Sequence, residues 1–406
     1  MLKAGALATF FVIVQFYTSL ASLSPTPPVG YVFASRAVAT ALVGLLALSA
    51  VWCGVSLWRE RALLGTSPSH AILAAWLGSA ALSSFLGLDP RSSLEVVGMM
   101  VLGAFFHLAL VRDWGGRGVP SVVLGTYLLA GIGATAAGLA MAVTRRPALL
   151  WAQNHGRAAG LFVTANQFAA FLIVFAFVAL GCALGTRGFT QRLGTIAAPL
   201  ALLALGATLS LAGLIGAVAG AVFYAAGLQA RRLALAFVIV AVAGGGFLAV
   251  RPALAHDPAY RFDRLLTWEA GRRVIALFPL TGVGPMAYWR VYPAIRPPNG
   301  DPPGTFGALH PHNVYLSLAG ETGAVGMAAF AYGWWRFVGS LRRRLSARSP
   351  SERRFVFGVC AALIAALVQG MFDTVGIVAM CFVWIPYTGL ALAAVTHGFP
   401  ESPRAA

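Results

Sequence analysis

The chain is a succession of apolar runs of about 20 residues, separated by short polar and basic tracts. A helix needs about 20 residues to cross a hydrocarbon core of about 30 Å. The runs also lack the alternation that is typical of strands. We therefore predict an all-α, polytopic membrane protein with about twelve transmembrane helices. The predicted spans lie near residues 4–22, 36–58, 69–87, 95–111, 119–143, 158–184, 194–210, 212–229, 234–250, 313–335, 355–373 and 377–395.

The stretch between Arg192 and Arg231 decides how many times the chain crosses. It is too long for one crossing, so two short spans with a tight turn near Ser210–Gly213 are predicted. The N-terminal apolar run follows Lys3 without a convincing cleavage site, and it is interpreted as a first span.

Composition agrees with this class, since 59% of residues are hydrophobic and only 10% are charged. The net charge of +17 raises the possibility of nucleic-acid binding. The arginines lie between spans, however, and no basic soluble domain is present, so no nucleic-acid partner is expected. The four cysteines show no CxxC spacing and are interpreted as small buried hydrophobic residues.

Basic residues set the predicted orientation, because cytoplasmic loops carry an excess of lysine and arginine. The tracts that fall on one side, and would thus be cytoplasmic, are Lys3, Arg59/Arg61, Arg112/Arg117, Arg187/Arg192, Arg231/Arg232 and the basic run after Trp335. Both termini are then cytoplasmic. We interpret residues 1–406 as one membrane domain, with a large periplasmic loop over 251–311 that contains short helices.

This outer loop is rich in arginine, against the orientation rule. Arg261, Arg264, Trp268 and Arg272 are spaced three, four and four residues apart, which predicts one shared helix face. Guanidinium groups that share a face suit phosphate, because each can bind oxyanions through two bonds. The alternative is that a loop of this length escapes the rule and its arginines face water.

The span after residue 157 begins with polar groups as well. Arg157 is predicted at its outer end and Asn166 lies deeper. Arg157 is either an anion ligand or a side chain that extends to the interface. Asn166 is either a supporting residue of the site or a hydrogen-bonding link between helices.

The segment HPHNVYLSLAGETGAVG runs from His310 to Gly326 and carries the clearest candidate chemistry. His312 is a candidate general base for a sugar hydroxyl, or only a helix cap together with Asn313. Glu321 is expected deep in the span, where it needs a partner such as an arginine. His310 and His312 have no clear third ligand, and no outer loop holds an Asp-x-Asp pair, so we expect no metal and no cofactor.

These motifs resemble the bacterial O-antigen ligase and polymerase superfamily. The shared signature is a His-Asn pair, an aromatic-Leu and then Glu-x-Gly-x-x-Gly, all within HPHNVYLSLAGETGAVG. Four further segments agree in order: RAAGLFVTANQFA, RLLTW, PLTGVGP and the Phe-Asp of GMFDTVG. The resemblance covers roughly Arg157 to Asp373.

The resemblance implies a metal-independent glycosyltransferase that acts at the periplasmic face of the bacterial inner membrane. The implied donor is a glycan on undecaprenyl diphosphate, and the acceptor is lipid A-core or a growing glycan. His312 would activate the acceptor hydroxyl, and Arg157 and Arg264 would bind the diphosphate. Arg261, Arg272 and Asp373 are secondary candidates.

One feature departs from the superfamily. Many members carry a Ser-Arg pair where two spans meet, whereas TLSLAGLIG has Ser210 and no arginine. Either that arginine is dispensable or one from the large loop replaces it.

Three functions stay open. The outer loop carries no long appended domain, which favours an O-antigen ligase, and an O-antigen or exopolysaccharide polymerase is the nearest alternative. A flippase of lipid-linked glycans would place charged residues along the spans, whereas here they lie near span ends except for Glu321.

Overall fold

The structure is a computed structural model that describes residues 3–11, 36–60, 67–162, 164–228, 264–300, 310–373 and 377–398. Within these ranges every regular element is a helix, which confirms the all-α class. Residues 3–11 are helical. The helices that follow are α1 Arg36–Arg59, α2 Pro68–Leu86, α3 Pro90–Asp113, α4 Val119–Thr144, α5 Ala148–Gln153, α6 Ala165–Gly185, α7 Gly188–Thr208, α8 Leu211–Gly227, α9 Arg264–Leu277, α10 Tyr288–Ile295, α11 Val314–Leu345, α12 Pro350–Gln369 and α13 Ile377–His397.

Six helices in the described ranges are long and apolar enough to cross a membrane: α2, α3, α4, α6, α7 and α11. The predicted count of twelve stays a prediction, because the span at 234–250 and most of that at 4–22 lie outside the described residues. The predicted division near Ser210 is confirmed as two helices. α7 ends at Thr208, Leu209 is left-handed with φ 50°, and the Ser210 hydroxyl accepts from the Gly213 amide to begin α8.

Helix α6 lies at the centre of the bundle, between α7 and α12, and most of its residues are buried. Its N-terminus is fixed by a capping box between Thr164 and Gln167. Gly181 faces Gly358 of α12 so closely that a Cβ on Gly358 would lie 2.6 Å from the Gly181 Cα. This small-residue contact lets the two backbones approach. It fixes α12, whose C-terminal end reaches the candidate site.

Helix α11 is broken at Gly323, which has φ 61° and ψ −162°. The segment 279–285, with sequence PLTGVGP, occupies the break. The Val283 and Gly284 amides donate to the carbonyls of Gly320 and Glu321, at 3.0 and 2.9 Å. The amides of Ala324 and Val325 donate to the carbonyls of Pro279 and Leu280, at 2.9 and 3.1 Å. The segment thus replaces hydrogen bonds that α11 loses at its break.

The turn between α2 and α3 and the first turn of α3 also form hydrogen bonds to the 279–285 segment. The Leu88 amide donates to the Val283 carbonyl at 2.8 Å, and the Ser93 hydroxyl donates to the Pro285 carbonyl at 2.7 Å. Asp89 forms an ion pair with Arg290 of α10 at 2.9 Å. The hydrogen bonds from Arg290 lower the pKa of Asp89, so this carboxylate stays charged at neutral pH. The described part of the predicted outer loop is therefore anchored to the helix bundle.

The three cysteines whose surroundings are described, Cys53, Cys182 and Cys360, are buried and free, as predicted.

Candidate active site

A polar cluster forms where residues 310–313, the N-terminus of α9 and the C-terminal end of α12 meet. The His312 Nδ1 lies 3.0 Å from Asp373 Oδ1. The other carboxylate oxygen of Asp373, Oδ2, lies 4.0 Å from Arg264 Nη2. Asp373 is 6% exposed, so its charge lies largely out of water between a histidine and an arginine.

The backbone holds His312 in an unusual conformation. Its φ is 48°, in the left-handed region that few residues other than glycine adopt. The His312 amide donates to His310 Nδ1 at 3.3 Å, and the two imidazole rings are 4.2 Å apart. Strain of this kind persists only where surrounding contacts impose it, and it is common at functional sites.

Asn313 fixes the helix that follows. Its side-chain oxygen accepts from the amides of Tyr315 and Leu316, at 2.9 and 3.1 Å. Its side-chain nitrogen donates to the Met371 carbonyl at 2.9 Å. Asn313 is therefore the cap of α11, and it also joins α11 to the segment that carries Asp373.

Further contacts tie the same two segments together. The Val314 amide donates to the Gly370 carbonyl at 2.7 Å, and the Tyr315 hydroxyl donates to the Leu367 carbonyl at 3.0 Å. Helix α9 packs on this unit through Gly271, where a Cβ would lie 3.0 Å from Pro311. Arg264, at the start of α9, is thereby held beside Asp373.

The electrostatics of the cluster favour an ionised Asp373. Burial alone would raise its pKa, but the hydrogen bond from His312 and the nearby positive charges lower it to about 2. Burial lowers the pKa of His310 to about 3, with His312 acting in the same direction, so His310 is neutral at neutral pH. A neutral His312 beside an anionic Asp373 carries its proton on Nδ1, which leaves Nε2 as its basic nitrogen.

Arg157 lies in a second polar cluster, at the N-terminus of α6. Its Nε donates to the Thr208 carbonyl and its Nη2 to Asn166 Oδ1, both at 2.7 Å. The Ser210 hydroxyl also donates to Asn166 Oδ1, at 3.0 Å. Arg157 thus lies beside Ser210, where the superfamily pattern led us to expect an arginine. In the described residues, this guanidinium comes from the segment between α5 and α6 and not from the large loop.

Gln369 connects the two clusters. Its side-chain nitrogen donates to the Asn166 carbonyl at 3.4 Å, and its own carbonyl accepts from the Asp373 amide at 3.2 Å. Gln369 is 1% exposed. Gln369 was not among the candidates from the sequence, where its only signal is a polar side chain at the end of an apolar run, four positions before Asp373.

Two candidate arginines are not placed with these groups. Arg272 forms an ion pair with Glu269 of the same helix, and its side chain is 71% exposed. The buried face of α9 is formed by Thr267, Ala270, Gly271 and Val274. Arg264 and Arg272, the described arginines of the predicted stripe, lie beside that face, and of these two it is Arg264 that lies near Asp373. Arg261 lies outside the described residues.

The expected arginine partner of Glu321 is not found among the described residues. The buried carboxylate accepts from the Met286 amide at 3.1 Å instead. Glu321 therefore supports the PLTGVGP segment. Sequence reasoning missed this because a backbone donor leaves no charged residue to recognise. In the described part of the chain, no three His, Cys, Asp or Glu residues are grouped as metal ligands.

The comparison with protein families agrees with the motifs. The family model described as O-antigen ligase matches residues 196–331, which include the C-terminal part of α7, all of α8 and α9, the PLTGVGP segment and the whole His310–Gly326 segment. The match confirms the resemblance to the O-antigen ligase and polymerase superfamily. No curated protein matches the chain.

Proposed function

We propose that the protein transfers a glycan from undecaprenyl diphosphate to an acceptor sugar at the periplasmic face of the bacterial inner membrane. The observation that carries this proposal is the contact of His312 Nδ1 with Asp373 Oδ1 at 3.0 Å. His312 lies within the family match to O-antigen ligases, and Asp373 lies C-terminal to it. In this proposal both termini are cytoplasmic, and the large loop and the His312 cluster face the periplasm.

His312 is the general base of the proposed reaction. Its Nε2 takes the proton of the acceptor hydroxyl while that oxygen attacks the anomeric carbon of the donor sugar. The bond from that carbon to the diphosphate oxygen breaks, and its electron pair leaves with undecaprenyl diphosphate. A single displacement of this kind inverts the anomeric centre. Asp373 keeps the Nδ1 proton in place and stabilises the imidazolium that forms.

Arg157 and Arg264 bind the diphosphate in this proposal. Nη1 of Arg264 is buried and has no hydrogen-bond partner among the described residues, although Nη2 lies near Asp373. A guanidinium that has an N–H donor left over suits an anionic leaving group. Stabilisation of the negative charge on that leaving group can replace both a metal ion and a general acid. The resemblance, the position of Arg264 and the network of Arg157 support this role.

The acceptor that we propose is lipid A-core, which makes the protein an O-antigen ligase. The alternative within the same chemistry is an O-antigen or exopolysaccharide polymerase. Deletion of the gene separates them, since loss of a ligase leaves free long polymer and loss of a polymerase leaves single repeat units.

The central test is His312→Ala in the purified, reconstituted full-length protein. We expect transfer to fall by about 10²–10⁴-fold, the range of a lost general base, without loss of folded protein. Trp58→Phe, on an exposed side chain of α1, is the control and should retain transfer. Transfer by His312→Ala at the wild-type rate would overturn the proposal.

A further inference from the structure

The amide of Asn166 has only one orientation that its neighbours permit. Its Oδ1 receives hydrogen bonds from Arg157 Nη2 at 2.7 Å and from the Ser210 hydroxyl at 3.0 Å. A guanidinium can only donate, so the atom that faces Arg157 must be the oxygen. The Ser210 hydroxyl also accepts from the Gly213 amide, which leaves its proton for Asn166.

This arrangement leaves the Asn166 amide nitrogen as a donor of two hydrogen bonds. Among the described residues no acceptor is bound to it, and Asn166 is only half-buried. The two contacts on Oδ1 stop the amide from rotating. A donor that is fixed before the ligand arrives loses little freedom when it binds.

The surroundings of this nitrogen favour an oxyanion. Arg157 is 9% exposed and places its positive charge on the same amide. Through the contact of Gln369 with the Asn166 carbonyl, the cluster continues to Asp373 and His312. An anion at Asn166 would therefore lie beside a guanidinium, in a cluster that Gln369 links to the proposed reacting groups.

We propose that the Asn166 amide nitrogen donates a hydrogen bond to a phosphate oxygen of the lipid-linked donor. This inference rests on the proposed function, which supplies the diphosphate. It gives Asn166 a direct contact with the substrate, and it makes Ser210 and Arg157 the residues that orient this contact.

The test measures binding of radiolabelled undecaprenyl diphosphate to the purified full-length protein. Asn166→Asp keeps the shape and the pairing with Arg157 but replaces the NH₂ group by oxygen. Asn166→Ala removes the donor without adding charge. Because a hydrogen bond to a charged group is worth about 1.5–3 kcal/mol, each variant should weaken binding by about 10- to 100-fold. In the transfer assay the donor KM should rise more than kcat falls.

Asn299→Asp is the matched control, since Asn299 is exposed in the turn after α10 and should keep the wild-type affinity. Wild-type affinity in Asn166→Ala would overturn the inference even if Asn166→Asp bound weakly, because charge alone would then explain the loss. A fall in kcat with unchanged affinity would overturn it as well. Failure of the wild-type protein to bind undecaprenyl diphosphate would overturn the proposed function itself.

Discussion

The segment from His310 to Gly326 has two parts with different roles. Its first part, through Asn313, forms a polar cluster in which His312 and Asp373 are 3.0 Å apart and Arg264 is close by. Its second part, around Gly323, is a helix break filled by backbone hydrogen bonds from PLTGVGP. One short motif thus contains both the side chains of the candidate site and a glycine whose backbone conformation the packing of PLTGVGP requires. Substitutions in the first part should change rates, and those in the second part should change folding.

Gly282→Ala should produce the largest effect. Gly282 has φ 68°, and a Cβ there would lie 2.3 Å from the carbonyl carbon of Glu321, where backbone has no space to move. We expect a loss of about 3 kcal/mol or more in the free energy of unfolding. Thermal melting of the purified protein and its abundance in the membrane measure this loss.

The matched control is Gly78→Ala in α2, where a Cβ meets no atom within 4 Å. Alanine favours a helix by up to about 1 kcal/mol relative to glycine, so this variant should be as stable as the wild type or more so. If Gly282→Ala melts like Gly78→Ala, the description of PLTGVGP as a close-packed insert is wrong.

Asp373→Asn should have the next largest effect, and on rate instead of stability. An amide can still contact His312 Nδ1, but it provides no negative charge to stabilise the imidazolium. The loss of a charge-assisted hydrogen bond worth about 1.5–3 kcal/mol corresponds to a transfer rate about 10- to 100-fold lower. The measurement is kcat in the reconstituted assay at saturating donor.

Asp89→Asn is the control for Asp373→Asn, because Asp89 is also an ion-paired aspartate outside the helices but contacts Arg290 of α10. It should change kcat by less than about threefold, since a partly exposed ion pair contributes little. An equal loss in both variants would mean that Asp373 acts only through the fold.

The helices could be predicted from the sequence because the spacing of apolar residues and the length of each apolar run are local properties of the chain. The proposed spans at 69–87 and 119–143 correspond closely to α2 and α4. The sequence could also single out His312, Asp373 and Arg264 as candidates, and the structure brings these three together. Their joint role in transfer is still a prediction.

The residues that could not be placed from sequence depend on contacts between distant segments. Glu321 was expected to pair with an arginine, yet its partner is the Met286 amide, which every residue type other than proline could supply. Arg272 has the spacing of a shared helix face, but the packing of α9 turns a neighbouring face inward. Periodicity states which residues share a face, and only tertiary packing decides which face is used.

Glu321→Gln should have a small effect, because glutamine still offers an oxygen to the Met286 amide. We expect a change below about 1 kcal/mol in the free energy of unfolding and transfer within about threefold of wild type. Glu321→Ala removes the acceptor, leaves the Met286 amide unpaired and should cost about 1–3 kcal/mol. Thermal melting of both variants measures this difference in stability. Equal destabilisation by Gln and Ala would show that the charge of Glu321 matters, contrary to the role assigned here.

The smallest effect is expected on the ratio of wild-type to His310→Gln transfer rates when the pH falls from 7 to 5. Asp373 has a folded-state pKa lowered to about 2, from 3.8, so its stabilising contribution is present above pH 3.8 and is lost as pH falls towards 2. His310, with a pKa of about 3, stays neutral over the same interval.

The ratio of wild-type to His310→Gln transfer rates should therefore be constant between pH 5 and pH 7, whatever its absolute value. A ratio that changes by more than about threefold over this interval would show that His310 takes up a proton during the reaction. His310 would then take part in proton transfer, and the assignment of His312 as the sole base would fail.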